Sequence, residues 1–411
     1  MSLSFGSLYW PYTAETRLRP HPPLSRTDES TVLVVGGGMS GVICAYTLAK
    51  SGIDTILIER ETVASGSTSA NTGLIQYAND IMLSELADRI GETDAVRFYR
   101  ACKDAIEHLV LLAETLPGDV GLKRRSSLYF ASSEKDMPAL RREFDMLDSH
   151  GFGTEWWDAS DIASAFPFRK EGGIVTHGDA EINPFRFVTS LAEAAVAAGL
   201  RIYEHTPLVS VSGKKGSYVV RAGQGEIRAG RIVYAVGYTP EAAGGRWLRA
   251  KLHRSYAIVT KPLPSLASWH QRFMLWETAR PYLYARTTAD GRIIAGGLDE
   301  NIRQPVGKAS EVRQRSDRLL EEIRKLFPNL NPELEFEWCA TFGESADGLP
   351  WLGEDPERPG QYYCLGYGGN GTVYSMIGAQ LIRDLAIGAD NPIAPIVRPD
   401  RPVVPATANS V

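Results

Sequence analysis

The chain has 411 residues, of which 44% are hydrophobic and 23% charged, with a net charge of −5 at neutral pH. That balance predicts a soluble globular protein with a large core and argues against a nucleic-acid surface, which needs a basic excess on some face. No apolar run reaches the length of a membrane span, and the first residues lack the basic-then-apolar pattern of a secretory leader. Cys44, Cys102, Cys339 and Cys364 form no C-x-x-C pair, and the histidines show no metal-ligand spacing. Reduced thiols, a cytoplasmic location and no metal site are therefore expected.

Residues 1–30 are proline-rich and without periodicity, which predicts an extended surface arm with Tyr9 and Trp10 as candidate anchors. Residues 31–35, TVLVV, are all β-branched or apolar and predict a buried parallel strand. Gly36, Gly38 and Gly41 follow in G-x-G-x-x-G spacing. Val42, Ala45, Tyr46 and Ala49 then recur at helical intervals until Gly52. Residues 54–58 predict a second strand, closed by Glu59. In such a unit the first glycine permits a tight turn, the second lets a pyrophosphate approach the backbone, and the third lets helix pack on strand. Amides at the helix start, at Met39 and Ser40, face the anion. Glu59, with Arg60 beside it, is placed to accept hydrogen bonds from a ribose diol and to repel a 2′-phosphate. Strand, turn, helix, second strand and terminal acid in this order predict a dinucleotide site.

Residues 65–76, SGSTSANTGLIQ, are small, polar and glycine-rich, and Thr68, Ser69 and Asn71 are candidates to surround phosphate oxygens. Residues 81–116 predict a long amphipathic helix punctuated by Gly91, with Phe98, Cys102, Ile106, Leu109 and Ala113 on its apolar stripe. A strand at 127–131, a helix at 137–150 and a helical turn at 158–166 follow. Asn183 and Pro184 read as the cap and first turn of a helix reaching Ala198. Strands are predicted at 201–204, 208–212, 218–221 and 231–235, the last ending in AVGY, where Ala235 and Gly237 suit close approach to a cofactor. Further strands are predicted at 253–261, 281–286 and 292–295, with Asp290-Gly291 as a hairpin turn. A helix at 308–327 and strands at 334–342 and 362–365 come next. GYGGNG at 366–371 then opens a helix over 372–386, stopped by Gly388.

Together GGGMSG, the SANTG loop, the AVG turn, DGLPWLG and GYGGNG resemble the flavin-dependent family of D-amino-acid oxidase, glycine oxidase and sarcosine oxidase. The SLYW start, VVGGGMSG and YLYARTTADGRIIAGG look most like its γ-glutamylputrescine oxidoreductase branch. The resemblance implies an α/β fold. Its FAD-binding Rossmann-like domain would be built from discontinuous segments, 31–93, 172–248 and 345–411. A mixed-sheet, α+β substrate domain would come from 94–171 and 249–344, with 1–30 as the N-terminal arm. It implies FAD bound extended, with Glu59 at the adenosine ribose. Thr68, Ser69, Asn71, Thr72, Gly73 and Leu74 would then follow the pyrophosphate and flavin edge, with Val209 near adenine. Gly368, Gly369, Asn370, Gly371 and Thr372 would lie at the flavin C2 carbonyl, where a helix N-terminus stabilises negative charge.

Two positions depart from the family pattern. Amino-acid oxidases of this kind keep an Arg-Pro pair that grips the substrate carboxylate, and here Phe342 and Gly343 stand there. Where some sarcosine oxidases attach FAD through cysteine, this chain has Ala340, with Cys339 beside it, so non-covalent FAD is expected. Tyr282, Tyr284 and Arg286 alternate along one strand and share a face, which reads either as a roof over the flavin or as a tyrosine-lined sheet. Tyr256, Trp276 and Tyr367 are candidate walls of an amine pocket. Glu277 and Glu344 are either ammonium partners or solvated acids. The leading expectation is an FAD-dependent amine or amino-acid oxidase or dehydrogenase, passing electrons to O2 or an unknown redox partner. A flavin-dependent tRNA-modification subunit and a flavoprotein with a binding or redox-sensing role are the alternatives.

Overall fold

A computed structural model describes residues 3–14, 19–238, 248, 250–301, 309–366 and 368–402. Thr27–Val35 lies inside an eight-stranded sheet, parallel to Gly225–Tyr234 on one side and to Thr55–Ile58 on the other. Arg201–Tyr203 extends one edge in parallel, and Gln361–Leu365 with antiparallel Trp351–Glu354 extends the other. The even and odd apolar residues of 32–35 are both buried, as a parallel sheet covered on both faces requires. Val32 and Val34 face the helices Met39–Lys50, Pro184–Ala197 and Gly371–Ile387. Leu33 and Val35 pack with the hairpin Leu208–Lys214 and Ser217–Ala222.

The second sheet has ten strands. Its order is Ser4–Gly6, Leu334–Glu344, Lys251–Thr260, Ile293–Asn301, Leu283–Thr287, Met274–Glu277, Lys123–Phe130, Gly172–Glu181 and Leu74–Ile75, with Glu155–Asp158 also on Gly172–Glu181. Its pairs are antiparallel except Met274–Glu277 with Lys123–Phe130. Strands from many parts of the chain alternate between the two sheets, giving the mixed α/β architecture expected.

Several elements differ from their sequence reading. The N-terminal segment is anchored through Tyr9 and Trp10, as expected, but by regular structure and not as an extended arm. Ser4–Gly6 pairs with the edge strand Leu334–Glu344, and Tyr9–Tyr12 forms a helical turn that buries Tyr9 and Trp10. The helix expected over 81–116 is two, Leu83–Ile90 and Glu92–Glu114, because Gly91 takes φ +87° between them. Gly172–Glu181 was hidden by its glycines, yet it pairs with three strands. Met274–Glu277 and Trp351–Glu354 are too short to announce themselves.

Candidate active site

One cavity of about 890 Å³ runs between elements of the two sheets. One end is the glycine turn. Gly36 takes φ +113°, and a Cβ on it would stand 2.4 Å from the Ala235 carbonyl oxygen. A Cβ on Gly41 would stand 1.8 Å from Gly36 O, so this glycine is a spacer behind the cavity that lets helix and strand touch. Gly38 is the helix N-cap, and the first intrahelical bond runs from Val42 N to Gly38 O at 2.9 Å. The amides before it have no carbonyl partner within the helix, which is where an anion is received. Met39 N is held by Thr68 Oγ1 at 3.0 Å, which ties the helix start to the SANTG loop. Ser40 and Ser375 hydroxyls meet at 2.7 Å, joining this helix to Gly371–Ile387.

Glu59 lines the cavity beside Arg60. Its Oε2 accepts from Gly37 N at 2.6 Å and its Oε1 from Glu61 N at 2.9 Å, which fixes the carboxylate at the strand end. Thr68, Asn71, Thr72 and Leu74 also line the cavity. Ser69 does not, because its hydroxyl donates to Ala64 O at 2.6 Å inside the loop. Gly73 sits behind, with φ +76° and no room for a Cβ beside Ile182 O. Val209 points away and is 65% exposed. Strand alternation brings its neighbour Leu208 to the wall instead, together with Pro207. Ala235, Gly237, Gly368, Gly369, Asn370, Gly371 and Thr372 all line the cavity. Asn370 Nδ2 bridges Ala78 O at 2.8 Å and Asn79 Oδ1 at 2.7 Å, presenting the N-terminus of Gly371–Ile387 to the interior.

The other end is aromatic and acidic. Tyr282 and Tyr284 line it with ring centroids 5.7 Å apart, as their shared face predicts. Trp276 stacks on Tyr129 at 3.7 Å, and Phe342 stacks on His253 at 5.2 Å. His253 Nε2 lies 3.2 Å from Glu344, a contact that raises the imidazole pKa. Two acids absent from the sequence-based candidates, Asp80 and Asp299, complete this end. Asp80 Oδ2 accepts from Gly369 N at 2.9 Å, and burial, then Glu344, raises its pKa. Asp299 follows Gly297 at φ +128° and Leu298 at φ +56°, where the pairing with Lys251–Thr260 slips register between Arg254 and Tyr256. Burial pushes its carboxyl up to about 6. The only trace of Asp299 in the sequence is an acid ending an otherwise apolar strand, IIAGGLDEN.

Other candidates fall elsewhere. Arg286 is only 2% exposed and lies outside the cavity lining. It donates to Thr72 O at 2.8 Å and Ile182 O at 2.9 Å, lies 3.5 Å from Glu181 and stands over the Trp10 ring, so it clamps backbone instead of facing substrate. Tyr256 projects from the opposite face of its strand, and its hydroxyl donates to Glu300 at 3.0 Å. Both Glu277 oxygens are taken, by Ser132 Oγ at 2.9 Å and Leu283 N at 3.1 Å. Cys339 is buried in a different cluster from that of Ala340, which lines the cavity. Tyr367 lies outside the described residues.

A phosphate-cradling strand–turn–helix opening onto an aromatic chamber defines a dinucleotide-cofactor oxidoreductase. The chain belongs to the DAO family of FAD dependent oxidoreductases, whose match covers residues 31–385, and FAD is that family's cofactor. It is similar to glycine oxidase of Geobacillus kaustophilus, at 24% identity over 87% of this chain and 93% of that protein. It is similar to γ-glutamylputrescine oxidoreductase of Escherichia coli, at 23% identity over 90% of this chain and 86% of that protein. The crystal structure of the Geobacillus glycine oxidase superimposes with a TM-score of 0.78 at 21% identity, covering 92% of this chain and all of that one. Among the described residues no helix is long and apolar enough to cross a membrane.

Proposed function

We propose that this oxidoreductase oxidises the C–N bond of an amine to an imine, which water then hydrolyses. The observation that carries the reading is the makeup of the chamber beyond the glycine turn. Among its described lining residues are Trp276, Tyr282, Tyr284, Phe342, Asp80 and Asp299, while the one lysine, arginine or histidine among the described residues of the cavity wall, Arg60, stands beside Glu59 at the glycine-turn end. Aromatic faces and carboxylates receive a cation, whereas a buried carboxylate without a partner costs several kcal/mol. Phe342, where an arginine would grip an α-carboxylate, supports the same conclusion. The acidic chamber also disfavours a polyanion such as RNA.

When bound, FAD supplies the two-electron acceptor for the hydride leaving the carbon beside nitrogen. The chain's own residues do the rest. Gly36, Gly38, Met39, Ser40 and Thr68 would hold the pyrophosphate, Glu59 the ribose, and Gly368 to Thr372 the flavin's far edge. Trp276, Tyr284 and Phe342 exclude water from the reacting carbon. Hydride leaves readily only from a neutral amine, so turnover rises with pH as the bound ammonium loses its proton. Non-covalent FAD, O2 or another redox partner as acceptor, and a cytoplasmic location complete the reading. The division into FAD-binding segments 31–93, 172–248 and 345–411 and substrate segments 94–171 and 249–344 is supported by the two sheets, except at Leu74–Ile75 and Gly172–Glu181, which fall in FAD-binding segments but pair within the ten-stranded sheet.

The test is anaerobic mixing of the yellow holoenzyme with a panel of amines and amino acids. Bleaching of the flavin by alkyl amines, ahead of glycine, sarcosine and D-alanine, is expected. Glycine or sarcosine as the best reductant would overturn the amine reading, and release of flavin into acid supernatant tests the non-covalent attachment.

A further inference from the structure

We infer that the substrate carries a second, non-reacting cationic nitrogen, seated at Asp80 and Asp299. The inference rests on the amine-oxidising reading above and names its substrate class: a diamine, a polyamine or an aminoalkyl guanidine.

The two acids come from separate elements, Asp80 from the segment before Leu83–Ile90 and Asp299 from the strand Ile293–Asn301. Both line the chamber of Tyr282, Tyr284 and Trp276. Asp299 feels Asp80 and Glu344 as like charges. Concentrating such charges in a desolvated space disfavours the unliganded protein and suits a cation that arrives from outside. Two described cations stand near, His253 acting on Asp299 and Arg280 on Asp80, but in each case burial outweighs the cation and the carboxyl stays raised. His253 faces Glu344, and Arg280 stands 5.0 Å over the Tyr282 ring and donates to the Asp80 backbone carbonyl at 3.2 Å. Asp80 receives Gly369 N and the Tyr282 hydroxyl. Asp299 receives the Ser255 hydroxyl, yet its Oδ1 is buried and has no hydrogen-bond partner among the described residues. Nor does Asp299 make an ion pair among them. An orphaned carboxylate oxygen inside a ligand chamber is an acceptor awaiting a donor.

The reacting nitrogen is the wrong donor. A carboxylate beside it would hold its proton and oppose hydride loss, which needs the neutral amine. The carboxylates therefore match a nitrogen that keeps its charge throughout the reaction. Leu298, left-handed after Gly297, stands immediately before Asp299, and that conformation is unfavourable for leucine and persists only where the surrounding structure imposes it.

The experiment compares short α,ω-diamines with n-alkylamines and ω-amino acids of the same chain length, as reductants of the wild-type holoenzyme under anaerobic conditions. A charge-assisted hydrogen bond predicts that the best diamine exceeds its monoamine in kcat/KM by about 10- to 100-fold, with the ω-amino acid poorest. In Asp299→Asn, with FAD content checked by absorbance, the diamine-to-monoamine ratio should collapse toward one. Monoamines matching diamines at every length, or an ω-amino acid reacting best, would overturn the inference while leaving amine oxidation standing. An unchanged ratio in Asp299→Asn would remove Asp299 from the seat and overturn it too. Reduction by no amine at all would bring down the amine reading itself.

Discussion

Glu59 shows how one side chain serves both fold and cofactor. Its two oxygens accept from Gly37 N and Glu61 N, so the carboxylate is preorganised before any ribose arrives. Replacing it removes a charge-assisted hydrogen bond of about 1.5–3 kcal/mol. Glu59→Ala should therefore weaken FAD binding by about 10- to 100-fold on titration into apoprotein. Asp179 illustrates the opposite economy of charge. Burial pushes its carboxyl up to about 6, despite hydrogen bonds from Ser127 and Thr176 hydroxyls at 2.6 Å each. The native state thus holds this proton more tightly than the unfolded chain. The stability it confers is present at low pH and is lost as pH rises through about 6. Relative to Asp179→Asn, the wild type should lose roughly 3 kcal/mol between pH ~4 and ~7 and change no further above that. Urea denaturation across that range measures it, and a flat difference would mean the carboxyl is not perturbed.

Among elements, the glycine turn separates packing from binding. A Cβ at Gly41 meets Gly36 O at 1.8 Å, so Gly41→Ala must push the helix Met39–Lys50 off its strand. Overpacking of this kind costs about 1–3 kcal/mol, and both melting temperature and FAD occupancy should fall. At Gly38 the nearest atom to a Cβ is Thr68 Oγ1 at 3.3 Å, so Gly38→Ala should melt near the wild-type temperature as apoprotein while binding FAD more weakly. The helix Gly371–Ile387 gives a parallel case. Gly371 lines the cavity, and its Cβ would approach Gly366 O at 3.0 Å. Gly371→Val should leave a folded protein without flavin, and full occupancy would show that this helix start is not at the cofactor.

At the scale of the whole molecule, Arg286 joins segments that are far apart in the chain. Its guanidinium binds the carbonyls of Thr72 and Ile182, neighbours Glu181 and lies beneath Trp10 of the N-terminal turn. Burial lowers its pKa, and Glu181 opposes that shift. Removing one partner of a buried pair strands the other, so Arg286→Leu should cost about 3–5 kcal/mol in unfolding free energy. Arg125, 2.8 Å from Glu181, would soften the loss. Arg286→Lys should not restore stability, because an ammonium cannot reproduce the guanidinium fork. A variant of normal stability with altered amine preference would place Arg286 at the substrate site instead.

The amino-acid sequence by itself determined what depends on neighbours in the chain. The strand at 31–35, the glycine turn, Glu59, the Asn183 cap and the Gly388 stop were legible because spacing of three or four residues sets turn, helix and cap, although the strand itself begins four residues earlier, at Thr27. Tyr282 and Tyr284 shared a face for the same reason, since strand side chains alternate. What needed the tertiary structure was every decision about direction and convergence. Leu208 faces the cavity and Val209 solvent because of how one hairpin sits on the sheet. Arg286, read from strand alternation as sharing the face of Tyr282 and Tyr284, is a clamp outside the cavity lining because Thr72, Ile182 and the N-terminal turn close around it. Asp80 and Asp299 carry no local signature. They line one chamber, Asp299 beside a register slip and a left-handed leucine and Asp80 on a segment far away in the chain, and proximity between residues so separated is set by packing, not by the local pattern of either segment.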